Sequence, residues 1–113
     1  MFVKMYRYRI RPDREKQYLA IHDRAAQIYR KHVRFREVHL KSPGDPGTWV
    51  ELQYYEDEQT YLNTIKVIEA EPEIGELFQK FQDVIDPAHT GVKEEQFELA
   101  RVYDYLADED KDS

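Results

Sequence analysis

Alternation of period two opens the chain. Phe2, Lys4, Tyr6, Tyr8 and Ile10 fall on one side of an extended segment and Val3, Met5, Arg7 and Arg9 on the other, which predicts a strand over residues 2–10. Arg11-Pro12-Asp13 breaks it and starts a helix, because Pro and Asp are favoured in a first turn. From Tyr18 the period changes. Tyr18, Leu19, Ile21, Ala25, Ala26, Ile28 and Tyr29 recur at helical spacing, with Lys16, Asp23, Arg24, Gln27, Arg30 and Lys31 on the opposite face. A charge-interrupted strand is expected over residues 33–41, and Ser42-Pro43-Gly44-Asp45-Pro46-Gly47 reads as a hairpin loop. Residues 48–56 alternate again, with Val50, Leu52 and Tyr54 on one face and Trp49, Glu51, Gln53 and Tyr55 on the other. Asp57 is placed to cap a second helix that buries Tyr61, Leu62, Ile65 and Ile68, breaks near Glu71-Pro72, and resumes with Ile74, Leu77, Phe78, Phe81 and Ile85. A last strand is expected near residues 96–103.

The order strand, helix, strand, strand, helix, strand is that of the split βαβ layout. The expected fold is therefore α+β and ferredoxin-like, with a four-stranded antiparallel sheet and both helices on one face. It forms one domain over residues 1–103, followed by an acidic tail over 104–113. The helices present Ile21, Ile28, Ile65, Leu77 and Phe81 and need an apolar sheet face, which Phe2, Tyr6, Tyr8, Ile10, Val50, Leu52, Tyr54, Phe97 and Leu99 can supply. The second face then carries Val3, Met5, Trp49, Tyr55, Ala100 and Val102 among Arg7, Arg9, Glu51, Gln53 and Glu98. That is more apolar surface than a solvated sheet shows, so a homodimer joined through the open face is expected.

Composition narrows the chemistry. The chain has no cysteine, which excludes disulfides, thiolate nucleophiles and cysteine-ligated metals. No leader pattern precedes the first strand and no apolar run reaches membrane-spanning length, so a cytoplasmic protein is expected. The net charge of -6 is unevenly spread: residues 1–41 carry 12 Lys/Arg against 4 Asp/Glu, a net +8, and the remainder is net -14. Basic and acidic strands that neutralise each other across the sheet would explain this, as would a basic pocket wall for an anionic ligand. Nucleic acid is not an expected partner. Trp49-Val50-Glu51-Leu52-Gln53-Tyr54-Tyr55 lacks the glycines of an RNA-recognition strand, and a pI near 5.2 opposes phosphate binding.

The opening strand with its Arg11-Pro12-Asp13 turn, the run ELQYYEDEQTY from Glu51 to Tyr61, and the break at Glu71-Pro72 resemble the dimeric α/β-barrel family that includes the antibiotic-biosynthesis-type monooxygenases. The resemblance spans about residues 2–103. It implies subunits packed sheet to sheet with ligands held between sheet and helices. Some members oxidise aromatic polyketides without cofactors, some degrade haem, and many have no known activity. The haem-degrading branch relies on an Asn on the first strand and a Trp and a His on the second helix. Here Tyr6 and Asn63 stand at the first two positions, and no His occurs between Thr60 and Ile85. Haem chemistry is therefore not carried over, and no cofactor is expected.

His22 is the candidate catalytic residue. It shares a helical stripe with Tyr18, Ala25, Ala26 and Tyr29, aimed at the sheet side expected to bear Tyr6, Tyr8 and Tyr54. The two alanines leave volume, the tyrosines (Tyr6, Tyr8, Tyr18, Tyr29 and Tyr54) would orient a small aromatic ligand, and an imidazole would accept its proton. A buried histidine satisfied by a tyrosine hydroxyl explains the same pattern. His32, His39 and His89 match no metal-binding spacing, and Ser42 has no neighbouring base. The expected function is a cofactor-independent monooxygenase of the antibiotic-biosynthesis type acting on a small aromatic or polyketide-like molecule. The alternative is a non-catalytic dimer that binds a small molecule.

Overall fold

The computed structural model describes residues 1–89 and 91–106. Strand β1 (Phe2–Arg9) leads through a 3-10 turn (Pro12–Arg14) into α1 (Glu15–His32), followed by β2 (Arg36–Lys41), β3 (Thr48–Tyr55), α2 (Glu58–Glu69), α3 (Pro72–Val84) and β4 (Lys93–Glu98). The sheet is antiparallel in the order β2-β3-β1-β4, which is the ferredoxin-like arrangement. Asp57 caps α2 by accepting from the Thr60 amide at 2.7 Å. The second helical region divides at Glu71, where Pro72 takes a first-turn position and so needs no donor of its own. Of the expected acidic tail over 104–113, residues 107–113 lie outside the described part of the chain.

Two expectations need correction. The last strand ends at Glu98, not at Tyr103. β4 pairs along β1 from Arg7 to Phe2, and the ladder closes with the Leu99 amide on the Met1 carbonyl at 2.8 Å. β1 begins at Phe2, so its ladder offers residues 100–103 no partner, whatever their side-chain alternation. The faces of β3 are also exchanged relative to the expected ones. Tyr8 pairs with Trp49, Tyr6 with Glu51, Lys4 with Gln53 and Phe2 with Tyr55, and directly opposed residues share a side of the sheet. Trp49, Glu51, Gln53 and Tyr55 therefore face the helices, and Val50, Leu52 and Tyr54 face away. Phe97, opposite Val3, also lies on the open side.

The consequence for packing is large. Two aromatic centres stand at opposite ends of the sheet's helix side. One gathers Tyr8, Trp49 and Ile10 against Tyr18, Ile21, Leu77 and Val84. The other stacks Phe35 on Tyr55 at 4.8 Å, with Tyr61 edge-on to Tyr55 and tilted against Phe2. Between them run two polar rows across the strands: His39, Glu51, Tyr6 and Glu94, then Glu37, Gln53, Lys4 and Gln96. The open side carries Val3, Met5, Val38, Leu40, Val50, Leu52, Tyr54 and Phe97. The polar rows are inside and the aliphatic ones outside.

The hairpin loop is tied to the end of β1. Ile10 donates to the Gly47 carbonyl at 2.8 Å, and the Arg9 guanidinium bridges Asp45 and Asp86. A Cβ on Gly47 would stand 2.8 Å from the Ile10 carbonyl oxygen, a backbone atom that cannot swing aside. Gly47→Ala is expected to destabilise the fold by about 1–3 kcal/mol, read as a lower thermal midpoint.

Candidate functional site

The polar rows are tolerable inside because they satisfy one another. Tyr8 donates to Glu51 Oε1 at 3.1 Å and shares a hydrogen bond with the Tyr18 hydroxyl. Tyr18 meets His39 Nδ1 at 2.7 Å, and His39 Nε2 meets Glu37 Oε2 at 2.9 Å. Gln53 closes the ring by donating to Glu51 Oε2 at 2.6 Å and to Glu37 Oε1 at 3.4 Å, while Tyr55 donates to the Gln53 carbonyl oxygen at 2.7 Å. A hydroxyl has one proton, so this chain has two self-consistent orders. With Glu51 ionised, His39 is an imidazolium and each hydroxyl donates toward Glu51. With Glu51 protonated, His39 is neutral and the donors run the other way. The same proton sits at one end of the Tyr8–Tyr18 pair or at the other.

Electrostatics agree with a shared proton. Glu51 is 8% exposed, and burial together with the Glu37 charge pushes its carboxyl up to about 7. Burial works against charge on both Glu37 and His39, yet their mutual hydrogen bond and opposite charges outweigh it, holding Glu37 low and His39 high. Burial keeps the Tyr8 and Tyr18 hydroxyls protonated well above the ordinary phenol range. Between the ordinary carboxylate value and about 7, the folded chain holds more proton on Glu51 than the unfolded chain does. This group's contribution to stability therefore falls as pH rises through that window. Glu51→Gln removes the group, so its stability relative to the parent protein is expected to climb by on the order of 1–2 kcal/mol between about pH 5 and about pH 8, measured by denaturant melts at both.

α1 brings His22 onto this floor. Tyr18, His22, Ala25 and Tyr29 recur at intervals of about one turn, and His22 packs edge-on to Tyr18 at 4.7 Å and against His39 at 4.3 Å between ring centroids. Burial pulls its imidazole down to about 4, with the nearby His39 charge acting the same way, so His22 is neutral at pH 7. Its Nε2 is enclosed and has no hydrogen-bond partner among the described residues. Donor atoms of His22, His39 and Glu51 lie within 4.8 Å of one another, a set a divalent cation accepts. Both ring nitrogens of His39 are, however, engaged with Tyr18 and Glu37, so the cluster is arranged as a hydrogen-bonded network.

Two cavities meet at His22 and Tyr29, which belong to the walls of both. The larger, of about 660 Å³, lies between the polar floor and the helices and is walled by Tyr6, Tyr8, Glu51, Leu77 and Phe81 among others. The smaller, of about 360 Å³, reaches Glu37, His39 and Phe35. Of the residues singled out in the sequence, His22, Tyr6, Tyr8 and Tyr29 line the larger cavity. Tyr18 is fully buried beneath it and serves the network. Tyr54 pairs with Val3 and Arg36 on the open face, away from the cavity. Glu51, Gln53, His39 and Glu37 were not anticipated. Their signal was the polar pair on β3 between Trp49 and Tyr55, with Glu37 and His39 opposite it on β2, meaningful only once the register is known. Of the basic residues of the first 41, Arg30 belongs to the wall of the smaller cavity, while Arg9, Arg24 and Lys41 are paired with Asp45, Glu73 and Glu15 respectively.

No protein-family model matches the sequence, and no curated protein does. Solved structures match along nearly the whole chain. An uncharacterised NIPSNAP domain protein from Burkholderia xenovorans is 17% identical, with 96% of this chain and 100% of that chain covered at a TM-score of 0.71. A candidate antibiotic biosynthesis monooxygenase from Deinococcus radiodurans is 11% identical, covering 95% and 100% at 0.66. SnoaB, a cofactor-independent oxygenase from Streptomyces nogalater, is 12% identical, covering 89% and 94% at 0.65. No helix among the described residues is long and apolar enough to cross a membrane. At these identities the shared property is architecture: the chain has the ferredoxin-like α+β fold that these structures share.

Proposed function

We propose that the protein is a cofactor-independent monooxygenase of a small phenol-type aromatic, working in the cytoplasm as a homodimer. The observation that carries the reading is the half-buried His22, with an enclosed and unpartnered Nε2, on the wall of a 660 Å³ aromatic cavity. A phenol entering the cavity gives its proton to the His22 imidazole, and the surrounding tyrosines orient the ring. The resulting phenolate is electron-rich enough to transfer an electron to O2. Recombination at a free ortho or para carbon gives a hydroperoxide, and loss of water leaves the corresponding quinone. One oxygen atom enters the product and the other leaves as water, with all electrons supplied by the substrate. Glu51, directly opposite Tyr6 on the floor, is the group able to hold or release a proton near neutral pH.

The dimer follows from the open sheet face. Eight apolar or aromatic side chains from four strands face that side, Leu40 and Phe97 nearly half exposed, and the identical face of a second copy would cover them by a two-fold operation. Oxygen-electrode assays with phenols and hydroquinones, in chelator-treated and flavin-free buffer, test the activity. Uptake of one O2 per quinone formed, with one atom of ¹⁸O2 in the product, supports it. A phenol that binds without oxygen uptake identifies a small-molecule-binding protein instead.

A further inference from the structure

We infer that the large cavity selects phenols bearing a positively charged amine and rejects phenols bearing a carboxylate. This deepens the proposed function by naming the substrate class of the same cavity, and it rests on that reading. Three carboxylates, Glu51, Glu69 and Glu94, belong to the wall, and among the described residues no lysine or arginine does. Lys4, which runs beneath the floor, is committed: its Nζ pairs with Glu94 at 2.6 Å and lies 5.6 and 5.2 Å from the ring centroids of Tyr6 and Tyr61. An anion entering would give up its hydration and find no counter-charge. A cation finds aromatic faces on Tyr6, Tyr29, Phe78 and Phe81.

It also finds Glu51. That carboxylate accepts one hydrogen bond at each oxygen, from Tyr8 and from Gln53, and an ionised carboxylate has room for about four. The unused acceptor capacity suits an ammonium group. Glu69 is exposed and contributes to attracting cations toward the wall, whereas the charge of Glu94 is met by Lys4.

Three probes with the same ring separate the possibilities: tyramine, 4-ethylphenol and 3-(4-hydroxyphenyl)propionate, titrated calorimetrically at pH 7 and low salt. Tyramine is expected to bind tightest and the propionate about tenfold or more weaker than ethylphenol. Glu51→Gln is expected to shrink the ratio of tyramine to ethylphenol affinity, and Glu69→Gln, at an exposed position, to shrink it less. Propionate binding as tight as tyramine binding overturns the inference and leaves the cavity reading standing, as does a ratio untouched by both substitutions. Binding by none of the three removes the ligand cavity, and the inference with it.

Discussion

Leu52→Asp is expected to convert the protein from a dimer into a 13.7 kDa monomer. Leu52 sits on the open face, opposite Met5 on β1 and Val38 on β2. A two-fold axis through that face buries two copies of any substitution there, and two desolvated, unpaired carboxylates cost several kcal/mol. The dissociation constant should rise by at least about 100-fold, visible by sedimentation velocity at micromolar concentration. Leu52 points away from the helices, so the subunit keeps its fold and its far-UV circular dichroism. Trp49 packs on Tyr18 inside the subunit at 4.7 Å between centroids, so its emission should not change on dissociation. A parent protein that already sediments as a monomer defeats the dimer reading outright.

The second large effect is at His22. His22→Ala is expected to lower oxygen uptake by about 10²–10⁴-fold, the range for removing a proton acceptor, while phenol affinity shifts by only a few-fold. Binding belongs to the cavity's many aromatic contacts; the proton belongs to one imidazole. If the proposed turnover holds, the parent protein should keep its rate from neutral pH down toward about pH 5 and lose it near pH 4, where His22 becomes charged in the fold. The same group weakens the fold in acid. Its folded value lies below that of a free histidine, so its contribution to stability is lost as pH falls through that interval. Equal losses of binding and turnover in His22→Ala would instead mark His22 as a packing residue.

Local signals were legible and pairing signals were not. The Asp57 cap, the Pro72 break and the helical stripe of α1 depend on residues within a turn or two, so sequence alone locates them. Strand β3 shows the limit. Its alternation separates Trp49, Glu51, Gln53 and Tyr55 from Val50, Leu52 and Tyr54, but both sets contain bulky apolar residues. Which set faces the helices is decided by pairing Tyr8 with Trp49, 41 positions apart. Hydrophobicity favours the aliphatic set; the hydrogen-bond ring linking Glu37, His39, Tyr18, Tyr8, Glu51 and Gln53 reverses that preference. Those partners come from three strands and a helix, and no spacing rule connects them. Tyr54 was misplaced with its strand, whereas His22 was found because its stripe is local.

The central claim is that a phenol binds between the polar floor and α1 with its hydroxyl on the His22 imidazole. Nitrogen-15 NMR of histidine-labelled protein, titrated with 4-ethylphenol at pH 7, measures this directly. The account predicts one neutral imidazole, assigned by its loss in His22→Ala, whose ring-nitrogen resonances shift saturably while those of His32 and His89 stay in place. A His22 whose ring-nitrogen resonances stay unshifted at saturating 4-ethylphenol would contradict it.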